Sequence, residues 1–120
     1  MNLLSLEDNK FKNVKVKGYD FKIRFMTPMD RVQVTQGRIV LQGGQPVETL
    51  TNDEFTFFEN VAIVNTCTEN MPDDFNQNES CLKWDDIDLI NQLAHEIRQH
   101  TSDIESKLKK NRPTTGSGQK

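Results

Sequence analysis

Val14 and Val16 alternate with Lys15 and Lys17, and after Gly18-Tyr19-Asp20 the residues Phe21, Ile23 and Phe25 alternate with Lys22 and Arg24. A period of two on both sides of a glycine-containing turn predicts a β-hairpin with one apolar and one basic face. This constrains the fold more than any other feature, because a lone hairpin is not stable in water. Its apolar face must lie on helices or pair with further strands, from this chain or from another subunit. The chain has 120 residues, one domain's worth, so that cover comes from a short stretch of sequence.

Two to three helices are expected to supply it. Thr27-Pro28-Met29-Asp30 reads as a helix start, with Thr27 as cap, Pro28 in the first helical position and Asp30 at the positive end. That helix runs through Arg31, Val32, Ile39 and Leu41, is weakened by Gly37 and stops at Gly43-Gly44, although Val32-Gln33-Val34-Thr35 also suits a strand. Thr51-Asn52-Asp53-Glu54 matches a capping box. The residues behind it, Phe55 to Val64, are apolar nearly all round, as a central helix requires, and Asn70-Met71-Pro72 is its expected end. Asp85 is the expected cap of a long last helix. In it Ile87, Ile90, Ala94, Ile97, Thr101, Ile104 and Leu108 recur at alternating steps of 3 and 4, a heptad seam weakened at Ala94 and Thr101. The fold class is therefore α+β: an N-terminal hairpin or small sheet packed on two to three α-helices, the last one long. Residues 1–10 read as a flexible arm, 11–110 as a single domain and 111–120 as a flexible basic tail.

The net charge of −3 conceals a segregation. Residues 1–50 carry eight basic and five acidic side chains, residues 51–106 two basic and thirteen acidic, and residues 107–120 five basic and none acidic. Such polarity favours contact between segments or between copies over binding one polyanion. There is no apolar run near 18 residues, so no transmembrane helix and no membrane partner is expected. The opening Met1-Asn2-Leu3-Leu4-Ser5-Leu6 lacks a basic flank and is interrupted by Glu7 and Asp8, which argues against a signal peptide and for a protein that stays in the cytoplasm. Cys67 and Cys81 are then expected to be reduced, with Cys67 buried as a small hydrophobe.

No constellation of catalytic or metal-binding residues stands out, so the expectation is a non-enzyme without cofactor. Asp74-Phe75-Asn76-Gln77-Asn78 begins like a calcium loop, but Glu79 stands where glycine is needed and Asp85 where a bidentate glutamate is needed. His95-Glu96 resembles a zinc-protease start, but position 99 is Gln99 and His100 is swung round the helix. Two surface histidines are the simpler reading. No phosphate-binding glycine loop and no nucleophile elbow is present.

Two surfaces remain as candidates for binding. One is the basic face of the hairpin, Lys12, Lys15, Lys17, Lys22 and Arg24, which suits single-stranded nucleic acid, although the acidic segment opposes a polyanion. The other is the seam of the last helix, Ile90, Ile97, Ile104 and Leu108, part of which equally suits the chain's own core, with Trp84 before its start as an anchor of the core or of a partner. A helix of roughly 25 residues spans nearly 40 Å, enough to overhang so small a domain and reach a partner.

The order of these features resembles a known family. A β unit with Phe21-Lys22-Ile23-Arg24-Phe25 leads into Thr27-Pro28, followed by a helix ending Leu41-Gln42-Gly43-Gly44 and an apolar helix with Ala62. Then come Pro72, an acidic and aromatic loop with Phe75 and Trp84, and a last helix with Asp88-Leu89 and Glu96. Over residues 14–108 this resembles the small tail assembly chaperones and related minor tail or baseplate proteins of tailed bacteriophages. The resemblance implies a non-enzymatic role in virion morphogenesis. The implied partners are the tape measure protein and tail tube or baseplate proteins, with a homo-oligomer also compatible. The place of action would be the host cytoplasm, with incorporation into the virion left open.

Overall fold

The computed structural model describes residues 10–75 and 79–110, side chains to Leu108. The hairpin is present: β1 (Phe11–Val16) pairs antiparallel with β2 (Tyr19–Arg24), in a register that sets Val14 opposite Phe21 and Val16 opposite Tyr19. The turn lies one step earlier than its sequence suggests. Lys17 and Gly18 alone connect the strands, at φ 51° and 85°. Positive φ at both central residues is what a two-residue turn needs to follow the twist of the strands. Tyr19 and Asp20 thus belong to β2.

Helix α1 (Pro28–Gln42) resolves the helix-or-strand ambiguity of Val32–Thr35 in favour of helix. Its start is a reciprocal cap: the Asp30 amide donates to Thr27 Oγ1 at 3.2 Å, and the Thr27 amide donates to Asp30 Oδ2 at 3.0 Å. Its end is Gly43, left-handed at φ 62°. Helix α2 (Asn52–Cys67) starts at the expected capping box, with Glu54 N–H donating to Thr51 Oγ1 at 3.1 Å. It ends three residues before its expected stop. Thr68–Asn70 instead form β3, which pairs antiparallel with β2 through Ile23–Thr68 and Lys22–Asn70, with an irregularity between them. The third strand caps the free edge of the hairpin, giving a sheet of order β1-β2-β3.

Helix α3 (Ile87–Lys110) is capped by Asp86, not Asp85. The Leu89 amide donates to Asp86 Oδ1 at 3.0 Å and the Ile90 amide to its carbonyl oxygen at 3.2 Å, whereas Asp85 is exposed. The core lies where the sheet, α2 and α3 meet. Val16, Phe21 and Ile23 come from the sheet, Val61 to Val64 and Cys67 from α2, and Leu89, Ile90, Leu93, Ala94 and Ile97 from α3. Helix α1 packs on α2 and adds Val34 to the core. Gly37 permits this, since a Cβ there would stand 3.3 Å from Ala62 Cβ. The fold is α+β, a small antiparallel sheet with three helices. The expectations for residues 1–9 and 111–120, and for Asn76 to Asn78 in the calcium-like loop, lie outside the described residues.

Candidate protein interface

The seam of α3 is used inside this chain. Ile90, Ile97 and Ile104 are 1%, 0% and 3% exposed, so they are core residues and not a surface for a partner. Helix α3 is covered on two sides, by the sheet and by α2, so its buried stripe is wider than a heptad seam. Leu89 and Leu93 join it, while Ile87 is 61% exposed. Leu108 is half-buried. Trp84 is half-buried too, its ring 4.7 Å from Phe75 and 6.0 Å from Phe21, an anchor of the domain's own aromatic cluster. Thr101, a weak member of the seam by sequence, has a polar task there. The buried Met26 amide donates to its Oγ1 at 2.9 Å, and its hydroxyl donates to the Ile97 carbonyl at 2.8 Å.

The basic face is dispersed as well. The register puts Lys12 on the same face as Val14 and Val16, and Lys17 in the turn, so the five cations do not share a plane. Lys15 pairs with Asp20 at 3.0 Å. Lys17 bridges to Asp86 at 2.9 Å and Asp88 at 3.6 Å. The hydrogen bond to Asp86 raises the Lys17 pKa above its ordinary value, and the same bond holds the Asp86 carboxyl below its own. Lys22 sits over the Phe11 ring, 4.6 Å from its centroid. Arg24 is enclosed, bonded to Asp30 at 2.6 Å and to Glu69. Burial is the largest single influence and works against both charges of the Arg24–Asp30 pair, but their mutual hydrogen bond, the bonds from Thr27 and Glu69 and the charge attraction together outweigh it, leaving Arg24 raised and Asp30 lowered. Lys12 stands beside a shallow cleft of about 280 Å³ shared with His100 and Asp103, and Lys22 lines a separate one of about 610 Å³ with Tyr19, Asn70 and Met71.

Nucleophilic and metal chemistry finds little material. Cys67 and Cys81 are free, buried thiols, each pushed up to about 12 by desolvation, so both are neutral and unreactive at pH 7. His95 is exposed, but His100 is buried, contrary to the surface reading; its Nε2 lies 3.3 Å from the Lys10 carbonyl oxygen and Phe25 meets it edge-on. Among the described residues no group of three His, Cys, Asp or Glu side chains is placed to hold a metal ion. Nor is any helix among them long and apolar enough to cross a membrane.

The surface that stands out is the outer face of α1. Met29, Val32, Ile39 and Val40 are 66%, 51%, 53% and 76% exposed. At 3.6 residues per turn they fall, with the exposed Gln36, within about 100° of arc, nearly opposite the buried Val34. Val47, in the short turn Val47–Thr49 beyond the helix, is exposed as well. The charged residues of α1 lie off this stripe: Asp30 and Arg38 turn inward, and Arg31 reaches Glu105 of α3 at 2.9 Å. The result is a helix that is apolar on two faces, with one face covered. Its 3-4-3 spacing, Met29-Val32-Gln36-Ile39, is readable in the sequence once the segment is known to be helical. No protein-family model, no curated protein and no solved structure matches this chain.

Proposed function

We propose that the protein is a non-enzymatic assembly factor of a tailed bacteriophage, binding helical structural proteins, the tape measure protein first among them, through the outer face of α1. The observation that carries this reading is the apolar stripe Met29, Val32, Ile39 and Val40 on a capped, well-packed helix. An amphipathic helix of a partner lays its own apolar face on such a stripe. Isolated exposed hydrophobes are ordinary, but four in one stripe amount to on the order of 400 Å², the scale at which patches mark interaction sites. The resemblance in layout to tail assembly chaperones supplies the identity of the partner. The burial of the α3 seam inside the fold and the exposure of the α1 stripe support α1 as the binding face.

The test is co-expression with the tape measure protein and tail tube subunit encoded beside it. The reading expects co-purification with the tape measure protein and its loss in Val40→Glu, at a position 76% exposed where the fold has no stake. Absence of any complex with either protein would remove it. Binding of nucleic acid through the hairpin is the weaker reading, because four of its five cations already face an acid or a ring.

A further inference from the structure

We propose that a second copy of this chain covers the α1 stripe, in a two-fold pair of antiparallel α1 helices crossing at Gln36, and that the partner displaces this copy. The inference deepens the reading above and rests on it only for α1 being the binding face.

Three features of the stripe select a second copy. The first is neutrality. Positions 29, 32, 33, 36, 39, 40 and 43 hold Met, Val, Gln, Gln, Ile, Val and Gly, without a charge, in a chain where 28% of residues are charged. A face with no charge has nothing to repel its own image across a two-fold axis. The second is the match under inversion about Gln36. Val32 then meets Val40 of the mate, Met29 meets Gly43, a large side chain against none, and Ile39 meets the methylene stem of Gln33. The third is Gln36 itself, the single polar residue in the Met29-Val32-Gln36-Ile39 seam. It falls on the axis, where the two amides can bond to one another and fix register, the role of a lone polar residue in a coiled-coil seam. Antiparallel packing also opposes the two helix dipoles favourably. With Gln33 and Gly43 included, the pair buries about 1,000 Å² in total, the lower edge of a specific interface. That size suits a weak dimer that a partner can open.

Sedimentation equilibrium of the full chain between roughly 5 and 500 µM reads this directly, the range set by an interface of minimal size. The expected result is a mass rising from 13.9 kDa to twice that value. Ile39→Lys with Val40→Lys should hold the mass at one chain while Trp84 fluorescence and the helical signal stay unchanged. Gln36→Cys should form an intermolecular disulfide on mild oxidation, whereas the wild type should not, since Cys67 and Cys81 are buried. A monomer at every concentration would overturn the proposal, as would a dimer that survives the double substitution. A monomer that becomes a dimer only after deletion of residues 1–9 would overturn it too, by assigning the stripe to the chain's own Leu3, Leu4 and Leu6. A dimer without tape measure binding removes the phage reading and leaves the dimer; a tape measure complex without a dimer does the reverse.

Discussion

Arg24 is the residue where strand, helix and third strand are tied together, through Asp30 of α1 and Glu69 of β3. Asp30 is 5% exposed, and its carboxyl is held below the usual carboxylate range by Arg24 and the Thr27 amide against the opposing effect of burial. A depressed native pKa contributes stability that is fully present above the unfolded value and is lost as pH falls through the native one. The pair should therefore stabilise the fold at neutral pH and fail below about pH 4. Asp30→Asn should lower stability at pH 7 by about 2 kcal/mol, Glu69 retaining part of the contact, and flatten the acid loss. Urea unfolding followed by Trp84 fluorescence at pH 7 and pH 3 measures both; an unchanged pH slope in the variant would contradict the assignment. Thr101→Val keeps the volume but leaves the buried Met26 amide without its acceptor, so the same assay should register a loss of about 1–3 kcal/mol. Neither role was visible in the sequence. Arg24 read as one cation of a surface row, and Thr101 as a flaw in an apolar repeat, because Glu69 and Met26 come from distant segments and Asp30 reaches Arg24 only through the turn from strand to helix.

Elements were more legible than residues, to the extent that local chemistry defines them. The two caps at Thr27 and Thr51 are set by bonds within four residues, and both stand as read. The hairpin, too, is local. The cap of α3 moved from Asp85 to Asp86 because the chain offers adjacent aspartates, and tertiary contact with Lys17 holds the second. Strand β3 was missed because three residues carry no period; Thr68–Asn70 are a strand only because β2 presents a free edge. Gly37 read as a weakness of α1, yet it is where α1 comes close to Ala62 of α2. Gly37→Leu should push the helices apart and cost about 1–3 kcal/mol. Gly37→Ala should be far milder, since better helix propensity offsets a contact short by a few tenths of an ångström. Thermal unfolding of the two variants side by side checks this, and equal losses would contradict the close approach.

At the scale of the molecule, the sequence pointed to an α+β domain that works in company and offered for contact a seam of α3 whose Ile90, Ile97 and Ile104 the fold buries. The regular repeat of α3 drew attention, but a repeat that regular in a single small domain is its own core: Ile97 is wholly buried. The stripe on α1 is shorter, interrupted by Gln36 and Gly43, and overlaps a segment whose β-branched residues also suit a strand. The charge segregation found partners inside the fold as well, with Lys17 on Asp86 and Arg31 on Glu105. What is left over after folding is a neutral apolar face. Its accessibility can be read at one atom. Met29 is 66% exposed on the stripe, and Met26, three residues away, is 8% exposed in the core. Oxidation of each methionine, resolved by peptide mass and followed from dilute to concentrated protein and again with tape measure protein added, tests the central claim most directly. The account predicts fast Met29 oxidation in dilute solution, slowed several-fold on concentration and on complex formation, with Met26 slow throughout. Met29 oxidising at one rate under all three conditions would contradict it.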